Sequence, residues 1–339
     1  MLLFFVALAS CSVFVLLLRG VAHRFGLVDH PCGRKQHTHS TPTVGGVAMF
    51  LGMTLALYFD NAYTGKLKLL IDCAGLLVVL GVLDDKHGLK VSLRLMIQVI
   101  LSLLVILGAD GTITHLGALF GAGDIQLGLL AVPFSVVAFV GGINAMNMID
   151  GADGMAGKMA AISILGVAII AYLSGAVEML PLAWAMLGAL IGFLFFNMRL
   201  FVRRAWVFMG DAGSMWIGLV LGWFMAQVTL GQVSAEPALV LWLFGIPLID
   251  TVVVMMRRMR RKCSPFAADR THIHHVLEHT GLSVGRTVLL LGLAQFVLVG
   301  IGVCFYLIHA PATVVLWSFV LLVTVYDYKL RHYKSPSTL

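Results

Sequence analysis

Long apolar segments recur along the whole of this sequence, with only short polar connections between them. A transmembrane helix needs about 20 consecutive, mainly apolar residues to cross the hydrocarbon core of a bilayer. With 60% hydrophobic and only 12% charged residues, the chain has too few polar side chains to cover these segments in water. Candidate spans are centred near residues 10, 51, 76, 101, 135, 167, 189, 221, 247, 298 and 319. The sequence therefore predicts an all-α polytopic membrane protein with about eleven transmembrane helices.

The placement of positive charges predicts how the chain is threaded through the membrane. Residues 1–18 are apolar and the first positive charge, Arg19, follows them, which indicates a retained first span with its N-terminus outside. From that start, every Lys and Arg other than Lys66 and Lys68 falls on the cytoplasmic side, as the positive-inside rule requires. These residues lie in the loops around residues 19–42, 84–94, 144–158, 199–211, 257–286 and 327–339. The C-terminus is then inside.

The net charge of +7 is therefore expected on one face of the membrane. Insertion signals and anionic lipid headgroups explain most of these residues, and the remainder suit the attraction of an anionic substrate. No connection is long enough for a separate soluble domain, so we expect residues 1–339 to form one integral-membrane domain with catalytic cytoplasmic loops. The five cysteines are scattered without metal-ligand spacing and are expected to be free thiols.

Five of the sixteen acidic residues fall at predicted cytoplasmic ends of spans, each next to a glycine or another carboxylate. They are Asp84, Asp85, Asp150, Asp153 and Asp211. Such hard oxygen ligands suit Mg²⁺, which proteins usually bind through one or two carboxylates together with waters and substrate phosphates. The adjacent pair at 84 and 85 can supply one ligand and one neighbouring base. The alternative is that this pair only caps the end of a span.

The run NAMNMIDGADGM, at residues 144–155, follows a long apolar stretch and combines amides, acids and glycines. Its three-residue spacing places Asp150 and Asp153 on one helical face, and likewise Asn144 and Asn147. Polar residues at a membrane boundary usually mark a functional site. Amides that only join neighbouring helices would explain the asparagines but not the two acids.

Two further segments suit the binding of phosphate. The GDAGS turn at residues 210–214 can present backbone N–H groups to an anion, or Asp211 or Ser214 can simply cap a helix. The basic stretch after residue 256 carries Arg258 and then His272, His274 and His275. Arginine forks suit phosphate oxygens and histidines titrate near neutral pH. Zinc binding and a plain stop-transfer anchor are the alternatives for this stretch.

Two more features are candidates for function. The first predicted cytoplasmic loop contains Asp29, Lys35 and other polar residues near a TPTVGG entry into the second span, which suggests an ordered loop near phosphate or a basic linker. Asp250 follows Pro247 within a predicted span. A buried acid beside a helix break is a functional candidate.

Four motifs in order resemble those of the polyprenyl-phosphate N-acetylhexosamine-1-phosphate transferase family: DD at 84–85, NAMNMIDGADG at 144–154, GDAGS at 210–214 and DRTHIHH at 269–275. The likeness spans nearly the whole chain. SPFAADRTHIHH at 264–275 and VDHPCGRKQHT at 28–38 are most similar to the undecaprenyl-phosphate N-acetylglucosamine-1-phosphate transferase branch. The peptidoglycan-precursor branch instead typically has three consecutive histidines followed by Phe-Glu. That branch also has a lysine three residues after DD, where Gly88 stands here, and Lys90 or Arg94 are possible substitutes.

The resemblance implies a Mg²⁺-dependent enzyme, with Mn²⁺ as a possible replacement, in the bacterial cytoplasmic (inner) membrane. It would transfer N-acetylglucosamine 1-phosphate from UDP-GlcNAc to undecaprenyl phosphate, releasing UMP and forming the lipid-linked first sugar of a surface polysaccharide. Asp84 or Asp85 would accept the proton of the lipid phosphate, and the other carboxylate and Asp211 would lie near Mg²⁺. Substrate would be held by the residues Asp29, Lys35, Asn144, Asn147, Asp150, Asp153, Arg258, His272, His274 and His275.

Several alternatives remain at this point. The donor could be another UDP-amino sugar or UDP-MurNAc-pentapeptide, and a covalent sugar-phosphate enzyme intermediate competes with direct attack. A secondary transporter shares the many spans and the intramembrane Asp250, but the acids gather at one face and no inverted repeat is visible. A nonenzymatic lipid-binding scaffold leaves the five aspartates without a role. A homodimer is possible, and no nucleic-acid partner is expected.

Overall fold

The computed structural model of the protein describes residues 1–29, 40–198, 204–230, 233, 235–264 and 271–332. Within these residues the chain forms thirteen α-helices, and every predicted span centre falls inside one of them. The helices are α1 (Leu2–Phe25), α2 (Gly45–Phe59), α3 (Gly65–His87), α4 (Val91–Gly108), α5 (Ala131–Ile149), α6 (Met155–Ser174), α7 (Leu180–Asn197), α8 (Gly210–Thr229), α9 (Leu239–Leu243), α10 (Gly245–Arg260), α11 (Ile273–His279), α12 (Val284–Leu307) and α13 (Ala312–His332).

Eight helical segments are long and apolar enough to cross a membrane, among the residues that were searched. They are Leu2–Phe25, Val91–Gly108, Gly128–Ile149, Met155–Ser174, Val177–Asn197, Gly210–Thr229, Val284–Leu307 and Ala312–Leu330. The other predicted spans differ for physical reasons: α2 has 15 residues, α10 has 16, and α3 carries lysines at one end and aspartates at the other. The protein is thus a helical, multi-pass membrane protein, and the number eleven remains a prediction.

Helix α8 lies at the centre of the bundle. In its most apolar window 83% of the residues are buried, whereas the figure for α1 is 17%. Glycines let its backbone approach its neighbours: a Cβ atom at Gly46 in α2 would overlap the backbone of Gly213, and one at Gly81 in α3 would overlap that of Ala212. Helices in lipid associate largely through such close contacts between small residues. The first turn of α8 is therefore held directly against α2 and α3.

A small backbone network precedes α8. Strand β1 (Val28–Asp29) pairs antiparallel with β2 (Thr41–Pro42). The amide of Phe208 then donates to the carbonyl of Pro42 at 2.7 Å, and the amide of Gly46 donates to the carbonyl of Met209 at 3.0 Å. This ladder fixes the path of the chain into the first turn of α8.

The break between α9 and α10 is satisfied from a neighbouring helix. Gln295 of α12 is fully buried, and its amide group donates to the carbonyl of Leu243 at 3.1 Å and to Ser163 Oγ at 3.1 Å. Its side-chain oxygen accepts the amide of Ile246 at 2.8 Å. Backbone groups released at a helix break in lipid need partners of this kind. The break therefore lies inside the bundle without exposing polar backbone to lipid.

Replacing Gly81 by alanine should destabilise the protein by about 1–3 kcal/mol, because the new methyl group would overlap the backbone of α8 and force the helices apart. Gly141→Ala is the matched control, since a Cβ atom at that glycine meets nothing within 4 Å. Thermal unfolding in detergent measures both variants. Equal melting temperatures for the two would show that α3 and α8 do not pack as described.

Candidate active site

Asp85 connects the end of α3 to the beginning of α8. Its Oδ1 accepts the backbone amide of Asp211 at 3.0 Å, and its Oδ2 accepts that of Ala212 at 3.4 Å. The first amides of a helix have no partners within the helix and favour a negative charge nearby. Gly210 has a φ of +70°, and a Cβ atom there would collide with the Asp85 carboxylate. The glycine before Asp211 thus makes room for this cap.

Asp84 and Asp211 both lie next to the guanidinium of Arg94. Asp84 is 6% exposed, and its Oδ1 accepts the amide of Leu89 at 2.7 Å while its Oδ2 forms an ion pair with Arg94. Arg94 Nη1 also lies 3.6 Å from Asp211 Oδ2. Of the two residues suggested as substitutes for the missing lysine, the structure thus places Arg94 among the aspartates. Lys90 precedes α4 as its N-cap residue.

Asn147 brings the second motif to the same carboxylate. Its Nδ2 donates to Asp211 Oδ1 at 2.6 Å and to Ser214 Oγ at 2.9 Å. The side chain of Asp211 is 32% exposed, so it is accessible despite these contacts. Asp211 is therefore a partly open carboxylate oriented by groups from α4, α5 and the cap on α8.

Asp150 ends α5 and lies close to the other acids. Burial raises its pKa well above the ordinary value, and the negative charges of Asp211, Asp85 and Asp153 raise that pKa further. A bound cation would relieve this repulsion. Among the searched residues no three His, Cys, Asp or Glu side chains are placed to hold a metal together. Mg²⁺ commonly uses only one or two protein carboxylates beside waters and substrate phosphates, so this donor set is compatible with that ion.

Asn197 holds the loop that carries Asp150 and Asp153. Its Oδ1 accepts the amide of Gly154, and its Nδ2 donates to the carbonyl of Val207 at 2.8 Å. Gly154 has a φ of +80°, a backbone conformation that side chains with a Cβ atom rarely adopt. Asn197 is 4% exposed and was not predicted as a site residue. At the end of a long apolar run it carried no signal beyond that of a helix terminus.

Asp250 anchors the histidine segment, residues 271–279, to two helices. Its Oδ2 accepts His272 Nδ1 at 2.7 Å, and its Oδ1 accepts the amide of Ile273 at 3.0 Å and the hydroxyl of Tyr326 at 2.9 Å. Asp250 is 1% exposed, so its charge is compensated by these donors. His272 Nε2 lies 3.4 Å from Arg258 Nη2, which joins the basic end of α10 to the same network.

His274 brings the histidine segment against the Asp150 loop. A Cβ atom at Gly151 would collide with the imidazole of His274, so only a glycine allows this approach. Among the residues that the structure describes, neither ring nitrogen of His274 has a hydrogen-bond partner, although the residue is 1% exposed. Burial, with the charge of His275 as the next cause, lowers the pKa of His274 to about 3. The ring is therefore neutral at physiological pH.

The structure also describes four of the remaining predicted residues. Asn144 donates to Gln98 Oε1 and to the carbonyl of Val140, both at 2.8 Å, and so joins α4 to α5. His275 Nδ1 lies 3.9 Å from Glu278 Oε2, and Asp29 lies in strand β1. Asp153 is half-buried beside the glycine that Asn197 holds. Lys35 lies outside the described residues.

Comparisons with known proteins identify a family and relatives of this chain. Residues 67–229 match the model of glycosyl transferase family 4. An undecaprenyl-phosphate alpha-N-acetylglucosaminyl 1-phosphate transferase of Salmonella typhi is 34% identical over 322 residues, covering 94% of this chain and 88% of the relative. Proteins of the same name are 36% identical in Yersinia pestis, with the same coverages, and 32% identical in Haemophilus influenzae, covering 98% of this chain and 94% of the relative.

The multi-pass helical bundle with its cluster of acids at one end is therefore a membrane transferase, and the chain belongs to glycosyl transferase family 4. The resemblance to polyprenyl-phosphate N-acetylhexosamine-1-phosphate transferases found in the sequence is confirmed. The relatives cover nearly the whole chain, so they include the histidine segment that lies beyond the family match.

Replacing Asp250 by asparagine should loosen the histidine segment by about 2–4 kcal/mol, because a buried acceptor of three hydrogen bonds loses its charge. Tyr326→Phe removes one of the three bonds and should cost about 1 kcal/mol. Amide hydrogen exchange of Ile273 and its neighbours measures both effects. Tyr306→Phe in α12 is the control, and unchanged exchange in Asp250→Asn would contradict the anchor.

Acid should weaken the packing of His274. Its folded pKa of about 3 lies below the ordinary 6.5, so only the unfolded ring gains a proton as the pH falls below about 6.5. Folding stability then decreases by as much as about 1.4 kcal/mol per pH unit until the folded pKa is reached. The melting temperature between pH 7.5 and 5 should fall more for the wild type than for His274→Phe. Parallel slopes would show that the ring is not buried in neutral form.

Proposed function

We propose that the protein transfers N-acetylglucosamine 1-phosphate from UDP-GlcNAc to undecaprenyl phosphate and releases UMP. The reaction would take place at the cytoplasmic face of the bacterial inner membrane and form the first lipid-linked sugar of a surface polysaccharide. Relatives that cover 94% of the chain carry the name of this activity. The observation that carries the proposal is the partly open Asp211 carboxylate, held by Asn147 and Arg94 beside other acids.

We further propose Mg²⁺, or Mn²⁺ in its place, at the Asp84, Asp85 and Asp211 carboxylates. When bound, such an ion neutralises the charge that develops on a transferred phosphoryl group. Asp211 is more open than Asp84 and suits direct contact, while Asp84 and Asp85 already accept hydrogen bonds from Arg94, Leu89 and the start of α8. Arg94 would then limit the repulsion between the acids.

In this proposal, Asp85 accepts the proton of the lipid phosphate. Both oxygens of Asp84 are engaged, one of them by the Arg94 guanidinium. Among the described residues, Asp85 accepts hydrogen bonds only from neutral backbone amides, and the bond from Ala212 is long at 3.4 Å. The Asp85 carboxylate is therefore less stabilised as an anion than that of Asp84 and takes up a proton more readily. Direct attack by the lipid phosphate on the sugar diphosphate follows, without a covalent enzyme intermediate.

The nucleotide and its diphosphate are assigned to the surfaces beside these acids. Asn147, Asp150 and Asp153 orient the nucleotide, and Arg258, His272, His274 and His275 engage the diphosphate. The contact of His274 with Gly151 supports this assignment, because it places the two groups of residues side by side. Asp29 and Lys35 remain proposed contacts from the first loop. Asn144 would act indirectly through α4, given its bond to Gln98.

The membrane arrangement completes the proposal. Eleven spans, with the N-terminus outside and the C-terminus inside, place the acids at the cytoplasmic surface, and residues 1–339 act as one integral-membrane domain. The eleven helices that contain the predicted centres support this count. A homodimer remains a prediction, which cross-linking in native membranes would check.

The first experiment incubates purified protein in detergent with undecaprenyl phosphate, UDP-GlcNAc and Mg²⁺, and follows both UMP and the lipid-linked sugar. Formation of both, lost on addition of EDTA and restored by excess Mg²⁺, is the expected result. Product formation only with another UDP-amino sugar would show that this nucleotide, and not UDP-GlcNAc, is the donor. If folded protein forms no product with any UDP-amino sugar, the proposed transferase activity is rejected.

In the same assay Asp85→Asn should lower turnover about 10²–10⁴-fold, because general-base catalysis contributes that much. Asp72→Asn is a matched control: Asp72 lies in the same helix at its other end, where it contacts Lys68 and Tyr63. That variant should retain wild-type turnover. Full activity of folded Asp85→Asn would remove Asp85 from the mechanism.

A further inference from the structure

A cavity of about 550 Å³ lies beside the C-terminal half of α1. It is bounded by the C-terminal half of α1, by strand β2 and by the residues just before α8. Its lining includes Arg19 and His23 from α1, Thr41 from β2, and Arg204 and Trp206. We call this cavity the α1 cleft. The function proposed above does not use it.

The α1 cleft is electropositive. Arg19 and His23 are four residues apart and therefore lie on one face of the helix, and Arg204 faces them across the cavity. None of the described residues that line it carries a carboxylate. Among the described residues, neither Arg19 nor Arg204 makes an ion pair, and the Arg19 guanidinium lies over the Trp206 ring at 4.6 Å from its centroid. Two arginines without a counter-charge favour an anionic ligand, and guanidinium groups suit phosphate oxygens.

The cleft continues into an apolar surface. Just before Arg19, helix α1 exposes Val13, Leu16 and Leu17, and Leu16 also lines the cleft. Trp206 is 36% exposed at the same level. Tryptophan and arginine at the end of an apolar helix face are typical of the membrane interface. A ligand with a phosphate group and long hydrocarbon chains therefore matches both parts of this surface.

We propose that the α1 cleft binds the headgroup of an anionic phospholipid, with its phosphate at Arg19 and Arg204 and its acyl chains along α1. The bound lipid would also contact the backbone ladder that leads to Asp211. The backbone amide of Trp206 donates to the carbonyl of Phe196, and the carbonyl of Pro42 accepts the amide of Phe208. Both Trp206 and Pro42 line the cleft. Occupancy should thus stabilise the chain entering α8. This second consequence rests on the proposed function, because its readout is transferase activity.

Binding is tested first, without any activity measurement. Native mass spectrometry and thermal unfolding in detergent compare added phosphatidylglycerol with phosphatidylcholine. Arg19→Gln and Arg204→Gln should each weaken phosphatidylglycerol binding at least about fivefold, the effect of losing one cation near an anionic lipid. Arg24→Gln is the matched control, because Arg24 is exposed on the same helix but does not line the cleft. Equal losses in all three variants would indicate general surface attraction and overturn the site.

Soluble anions separate the two sources of phosphate. Glycerol 3-phosphate and inorganic phosphate are added in place of the lipid. The proposal expects neither to stabilise the wild type as phosphatidylglycerol does, because they lack the chains that cover α1. Equal stabilisation by inorganic phosphate, lost in Arg19→Gln, would assign the cleft to a free anion and overturn the lipid.

Activity is then compared in nanodiscs of phosphatidylcholine with and without phosphatidylglycerol. Wild type and Arg24→Gln should be stimulated by phosphatidylglycerol, whereas Arg19→Gln should show the same turnover in both. Stimulation of all three alike would overturn the coupling to Asp211. If the wild type shows no transferase activity at all, the proposed function fails, while the binding measurements still decide whether the cleft holds a lipid.

Discussion

The contact between the Asp85 carboxylate and the first amides of α8 is the interaction on which the site depends. It joins two motifs that are 126 residues apart in sequence, and it does so near the close contact of α3 with α8 at Gly81. Because the helix N-terminus favours a negative charge, the cap stabilises the helix and fixes the carboxylate at once. Asp211, in the same first turn, is thereby presented to Arg94 and Asn147. Stability of the bundle and arrangement of the acids have a common origin.

Other polar groups inside the bundle also connect segments that are far apart in sequence. Gln295 satisfies the break between α9 and α10, which lets α10 begin anew and carry Asp250 toward the histidine segment. Lipid offers no hydrogen bonds, so each of these groups must find its partner in another helix. The polar side chains, together with the close glycine contacts of α2 and α3 with α8, thus specify which helices are neighbours.

The positions of the long helices and the gathering of the acids could be predicted from sequence, because both follow from hydropathy and local spacing. The partners of each acid could not. Tyr326 lies in an apolar helix and resembles any other interfacial aromatic until α13 is packed against Asp250. Asn144 and Asn147 were equivalent in sequence, yet the rotation of α5 directs one to Gln98 and the other to Asp211. Such choices depend on the packing of whole helices, which no local pattern contains.

The two ring nitrogens of His274 give the histidine segment an uneven attachment. At His272 the segment is held by a buried carboxylate, but the buried His274 ring has no hydrogen-bond partner within the described part of the chain. An unsatisfied buried polar atom costs about 1–3 kcal/mol, and that free energy is recovered when the ring reaches water or a ligand. The histidine segment is therefore held firmly at His272 and less firmly at His274. Moving His274 away from Gly151 therefore costs less free energy than the burial of the ring alone suggests.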